Sequence, residues 1–237
     1  MTKVTLWVPA AESPRWPCVL SWLNLEYPEG ERPKFLKSGP NHIRYSWNKA
    51  IRDILATDSE WVFSCHNDVV FQPGTLNRLL SWKQPIVSAL IFMRQAPIVP
   101  HVWQKYEQGG NYAYRIMDTR NWLMDHPEAS THLGPYIIDP KPDDALAEVG
   151  FTSTSCVVIH RSVFEKLSDP WFEWDDDYTG GGEDRRFFEN AKAAGFTGYV
   201  DRSCIAGHLV GDIPTTAADF LVWGQASDFV GSGEPTS

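Results

Sequence analysis

A strand, helix, strand rhythm fills the first 92 residues of this chain, and it limits the fold more than any other feature of the sequence. Residues 4–8 alternate as a core strand and run into Pro9-Ala10, as a strand opening onto a loop does. The pattern then predicts a helix over about 17–25, a turn over 28–33, a short strand over 34–37 and a break at Ser38-Gly39-Pro40. A second helix, over about 41–56, is better marked: Ile43, Trp47, Ile51, Ile54 and Leu55 recur at helical spacing, and Asn41 suits an N-cap. Residues 61–64 form a compact apolar strand that ends in Cys65-His66-Asn67-Asp68. A helix with proline in its first turn is predicted over 73–82, and a further buried strand over 86–92. This order implies an α/β fold: a single Rossmann-like domain with a mostly parallel central sheet flanked by helices. Ligands in such sheets bind beyond the carboxyl ends of the strands, where Pro9-Ala10 and His66-Asn67-Asp68 lie.

Residues 93–146 lose the rhythm and are rich in Pro, Gly, Tyr, Trp and His, so they read as an acceptor-side or lid region without assigned elements. Order returns at 149–160, a strand pair or one long strand around Ser153-Thr154-Ser155, followed by a short helix over 161–167. An acidic, aromatic, glycine-rich loop over 171–182 leads into a helix over 183–194, whose buried face is Phe187, Phe188, Ala191 and Ala194 and which Gly195 ends. Tyr199-Val200 and 204–206 bring the chain back to the sheet before Gly207-His208. One domain over 1–227 is expected, with a tail over 228–237 of disordered composition.

Composition narrows the functions. The formal net charge of −9, with basic residues dispersed, gives no general attraction for a phosphate backbone, so a nucleic-acid acceptor is disfavoured. Cysteines 18, 65, 156 and 204 show no CxxC spacing and read as buried reduced thiols rather than as a zinc or redox site. The N-terminal apolar run is too short for a signal peptide and no stretch is long enough for a membrane helix, which leads to the expectation of a cytoplasmic protein without membrane association. The 11 tryptophans supply flat faces for a sugar or a nucleobase as well as core anchors.

Three constellations carry chemistry. His66-Asn67-Asp68 follows an apolar strand, and a carboxylate there could hold a divalent cation against a diphosphate, although an Asp in a turn also caps it. Gly180-Gly181-Gly182-Glu183-Asp184 opens an amphipathic helix, presenting two carboxylates behind glycines that allow close approach; acidic residues in a first turn also simply complement the helix dipole. Gly207-His208-Leu209 follows a late strand, and an imidazole there is either a ligand or a satisfied polar residue.

Taken in this order, the three constellations resemble those of the GT-A glycosyltransferases, family-2-like members in particular. The stretches that carry the resemblance are WVFSCHNDVVFQPGTLNRLL with IVSALIF, EVGFTSTSCVVIHRSVFEKL with PWF, and GGGEDRRFFENAKAAGF to GHL, within a span from Val4 to His208. The resemblance implies sugar transfer from a nucleotide-diphosphate sugar to a hydroxyl on a protein or glycan, with inversion at the anomeric carbon. A modified nucleobase in DNA is the alternative acceptor, and a degenerate sugar- or nucleotide-binding protein the alternative function. It makes Asp68 the metal-binding second acid of a DxD motif and His208 a later ligand, with Mn2+ the expected ion and Mg2+ the alternative. Asp184 becomes the catalytic base and Glu183 its acceptor-facing neighbour. Donor contacts fall to Pro9, Ala10 and Glu12 in the loop after the first strand, to Asn48, His66, Asn67 and Arg94, and to Gly181 and Gly182. The chain departs from the pattern at His66, where the first Asp of DxD stands, and at Trp47, where an arginine often precedes the Asn.

Overall fold

The computed structural model describes residues 2–9, 13–28, 34–38, 42–108, 111–174 and 182–230. The first half runs β1 (Val4–Pro9), α1 (Trp16–Leu23), β2 (Lys34–Ser38), α2 (Ile43–Leu55), β3 (Trp61–Cys65), β4 (Val69–Val70), α3 (Thr75–Leu80) and β5 (Ile86–Ile91). A hairpin of β6 (Val102–Gln108) and β7 (Asn111–Ile116) follows, then α4 (Arg120–Asp125), α5 (Pro127–Ser130), β8 (Tyr136–Ile137), β9 (Leu146–Val149) and β10 (Phe151–Thr152). The chain continues through β11 (Cys156–His160), α6 (Arg161–Lys166), α7 (Gly182–Ala193), β12 (Gly198–Val210) and β13 (Ile213–Thr215) to α8 (Ala217–Val230).

The main sheet has the order β13-β12-β5-β11-β3-β1-β2. β1 lies parallel to β2 and β3, and β5 parallel to β12, but β11 is antiparallel to both its neighbours, and β4, β8, β9 and β13 all run antiparallel to β12. The sheet is therefore mixed, where the sequence predicted a mostly parallel one. The cause lies in how β11 is entered. Cys156 at its start pairs with Cys65 at the end of β3, so the chain enters β11 from the ligand edge. No crossover helix intervenes to carry it back to the opposite edge, and a strand entered from that edge must run antiparallel.

Apolar side chains pack on both faces. In β1, Trp7 points into a cluster with Trp47, Ile51, Val62, Phe164 and Phe187, while Leu6 and Val8 join Phe63, Cys65, Leu76 and Leu79 on the other side. Burial on both faces explains why these strands read as short continuous apolar runs. Trp7, Trp22, Trp47, Trp122 and Trp171 are all buried in these clusters, so much of the tryptophan excess serves packing rather than presenting faces to a ligand. Cys18, Cys65, Cys156 and Cys204 are free and buried.

Several boundaries differ from expectation. The region 93–146 holds a hairpin and two short helices, and its stability is nonlocal: β10 pairs with β6, and Phe151 stacks on Trp103 at 4.5 Å. The helix predicted over 73–82 is confined to α3, because the chain enters it through a turn capped at Gly74 after Pro73. The two segments around 199–206 are one strand, β12, with an irregularity between Asp201 and Ile205. The closing helix α8 was not predicted; it reaches Val230, and the remainder of the tail and the Asn41 cap lie outside the described residues. Among the described residues no helix is long and apolar enough to cross a membrane.

Candidate functional site

Asp68 and His208 are brought together by a strand pairing that spans 140 residues. After β3 the chain turns through His66, Asn67 and Asp68, the Val69 amide donating to the His66 carbonyl at 3.2 Å, and enters β4. β4 lies antiparallel to β12 with Val69 opposite His208 and Val70 opposite Gly207, and the Leu209 amide donates to the Asp68 carbonyl at 2.8 Å. Gly207 permits this approach: a Cβ there would collide with Pro214 and stand 3.1 Å from Val70. His208 Nε2 thus sits 3.2 Å from Asp68 Oδ2, and Arg94 Nη1 donates to the same oxygen at 2.9 Å. Burial would raise the Asp68 pKa, but the hydrogen bond and charge of His208, with His66 and Arg94 behind them, outweigh it and bring the carboxyl down to about 2. Asp68 is an anion at neutral pH.

His66 accepts or donates at Nδ1 to the Ser155 hydroxyl, 3.3 Å away, and its amide donates to the Ser155 carbonyl at 2.9 Å. Burial lowers its pKa to about 4, so the ring is neutral. Its Nε2 and the Nδ1 of His208 are buried without a hydrogen-bond partner among the described residues. His101, which the sequence reading left unassigned in the 93–146 region, is likewise held neutral by burial and by the nearby His208 and His66, its pKa lowered to about 4.

The fit of a divalent cation can be tested on these atoms. The 3.2 Å between Asp68 Oδ2 and His208 Nε2 is the separation of two neighbouring ligands that each lie about 2.0–2.2 Å from one ion. A hard oxygen with an imidazole nitrogen suits Mn2+. No group of three or more such side chains exists among the described residues, and Asp68 and His208 are the pair here that could hold an ion.

At the other end of the site, Gly182 takes φ +56° with open space around it and starts α7, which presents Glu183 and Asp184 in its first turn. The Thr154 hydroxyl donates to Asp184 Oδ1 at 2.6 Å, and the Trp47 indole N–H reaches the Thr154 oxygen at 3.3 Å. Burial pushes the Asp184 carboxyl up to about 7, Glu183 adding to the rise and Thr154 opposing it. Burial raises Glu183 too, against the pull of His42 and Arg44. Beneath this end runs a column of rings: Trp7 on Trp47 at 3.9 Å, Trp47 on Phe172 at 4.5 Å and Phe172 on Phe187 at 4.5 Å.

The two ends are joined by consecutive residues of one turn, since Thr154 holds Asp184 while Ser155 holds His66. Both ends stand out in the sequence as element boundaries, whereas the link is signalled there only by the run Ser153-Thr154-Ser155 between two apolar strands. Asn48 has a different occupation from the donor contact expected of it. It is buried, receives the Trp171 and Phe172 amides at 2.9 and 3.0 Å, and donates to the Phe172 carbonyl at 2.8 Å, so its amide is spent on the backbone leading to the loop before α7. Pro9 is buried at the end of β1, Asn67 is half-buried in the turn beside Asp68, and Ala10, Glu12 and Gly181 lie outside the described residues.

The sequence matches no protein-family model and no curated protein. Its fold is similar to that of A197 from STIV, with a TM-score of 0.55 at 16% identity over 89% of this chain and 87% of that one. It is also similar to the structure of GalNAc-T7 with UDP, GalNAc and Mn2+, with a TM-score of 0.56 at 9% identity, covering 95% of this chain and 48% of that one. This chain therefore spans about half the length of GalNAc-T7. At such identities the likeness is one of fold, and it supports a GT-A-like α/β fold without reaching the individual motifs.

Proposed function

We propose that this chain is a metal-dependent glycosyltransferase that moves a sugar from a nucleotide-diphosphate donor to a hydroxyl of a protein or glycan. The observation that carries this reading is the pairing, across one three-residue turn, of an anionic Asp68 beside His208 with an Asp184 carboxyl tuned towards neutrality. The solved fold relative that was bound to UDP, GalNAc and Mn2+ supports the same class of donor and ion.

Asp68 and His208 would hold Mn2+, or Mg2+ in its place, which offsets the charge that develops on a leaving diphosphate. The Arg94 guanidinium, half-exposed beside Asp68, supplies a further positive charge towards the phosphates. His66 and Asn67 would contact the donor from the same turn, with Pro9 and Gly182 towards the nucleotide and the sugar; the donor contacts expected at Ala10, Glu12 and Gly181 lie outside the described residues. Asp184, as its anion, takes the proton of the acceptor hydroxyl. The acceptor oxygen bonds to the anomeric carbon as the bond to the diphosphate breaks and its electron pair leaves with the diphosphate, giving inversion. Glu183 orients the acceptor. The charge of −9 favours a protein or glycan acceptor over a nucleobase in DNA.

One observation favours a second reading, a sugar- or nucleotide-binding protein that has lost turnover: Arg94 already pairs with the Asp68 oxygen that a metal would use. Thermal shift with UDP and UDP-GalNAc, with and without Mn2+, followed by an assay of UDP release, separates the two. Transfer predicts Mn2+-dependent stabilisation together with slow UDP release. Stabilisation without release supports the binding protein, and no stabilisation under any condition refutes both.

A further inference from the structure

The hydrogen bonds at the start of α7 have a direction that the atoms themselves dictate. The Trp47 indole nitrogen can only donate. Since it reaches Thr154 Oγ1 at 3.3 Å, that oxygen is an acceptor towards Trp47. A threonine hydroxyl has one proton. Against an ionised Asp184 that proton is directed at Oδ1, 2.6 Å away. The Thr154 backbone adds a hydrogen bond to the same carboxyl, so one residue holds it twice.

We infer that Thr154 is the positioning residue of the proposed base: its hydroxyl, aimed by Trp47, holds one oxygen of Asp184 and so fixes the orientation in which the carboxyl meets the proton of an acceptor. This rests on the reading of Asp184 as the base. Trp47 is itself fixed, being fully buried, stacked on Phe172 and packed at a tilt against Trp7, so the direction of the chain does not depend on an exposed rotor. The Ser155 hydroxyl on the next residue meets His66, so the backbone of this turn also fixes the spacing between the base and the phosphate end.

The arrangement bears on protonation as well as on placement. A hydrogen bond donated to a carboxylate favours its charged form, so Thr154 restrains a rise that burial and Glu183 impose. Among the described residues, the charged and titratable groups around this carboxyl are Glu183 on the same helix turn and, beyond Glu183, His42 and Arg44 at the start of α2.

The test is a carbon-13 titration of the full chain carrying label in its Asp carboxyl carbons, with Asp184→Asn assigning the resonance. Thr154→Val keeps the shape and removes the donor, and is expected to move the Asp184 midpoint up by roughly one pH unit. Thr154→Ser is expected to restore it. If Thr154→Val does not fold, Trp47→Phe keeps the ring on Phe172 and removes the indole donor, and a smaller move in the same direction is expected. An Asp184 midpoint unmoved in whichever variant folds overturns the inference. UDP release from UDP-GalNAc with Mn2+, measured in parallel, separates that failure from a failure of the reading beneath it. Loss of turnover in Asp184→Asn alongside an unmoved midpoint leaves Asp184 as the base and removes Thr154. Full turnover in Asp184→Asn removes Asp184 from the role and the inference with it.

Discussion

At the β3–β4 turn the Asp68 carboxyl is brought down to about 2, whereas at the start of α7 the Asp184 carboxyl is pushed up to about 7. Both groups are taken out of water, and burial raises each of them. What differs is the company: Asp68 faces His208, His66 and Arg94, while Asp184 has another carboxylate, Glu183, as its neighbour and Thr154 as its hydrogen-bond partner. Hence one position favours a permanent anion suited to a cation, and the other favours a proton-exchanging group near neutral pH. The same side chain is given two roles by its surroundings.

The largest expected effect comes from removing either end of this contrast. Asp68→Ala and His208→Ala should each abolish the stabilisation by Mn2+ with UDP, while Asp184→Asn should preserve it and lower turnover by about 10²- to 10⁴-fold. Loss of Mn2+-dependent stabilisation in Asp184→Asn would show that the two ends are not separable. A smaller effect is expected at Asn48, whose truncation to Ala strands the buried amides of Trp171 and Phe172. At about 1–3 kcal/mol for each of the two unsatisfied amides, chemical denaturation should register a loss of about 2–6 kcal/mol. A loss near zero would mean that the 171–172 backbone finds other partners.

The smallest effect sharpens the comparison through pH. The folded pKa of Asp184 lies above its unfolded value of about 3.9, so the native state binds more protons between these limits. Its contribution to stability is full below about 4 and is lost as pH rises through about 7. The Asp184→Asn variant escapes that loss, and its melting temperature relative to the wild type should rise between pH 4 and pH 8. A difference that stays flat over that range would place the Asp184 carboxyl in contact with water.

Much of the first 92 residues was legible because each element there carries its own signal: Ile43, Trp47, Ile51 and Ile54 mark one helix face, and 61–64 and 86–92 are strands buried on both sides. Asp68, His208, Glu183 and Asp184 were legible as positions at the ends of such elements. Their partners were not. The antiparallel course of β11, the pairing of β4 with β12 and the addition of β10 to the β6–β7 hairpin each join segments far apart in the chain, and no local period records such a pairing. Asn48 shows the same limit, because its place on a helix was plain while its ties to Trp171 and Phe172 depend on where a loop more than a hundred residues later comes to rest. The sequence by itself determined which residues end a strand or open a helix, since backbone preference and apolar spacing act over a few neighbours. Only the tertiary structure decided which carboxylate is buried beside which charge, since burial and electrostatic contact are properties of distances that the chain sets only when folded.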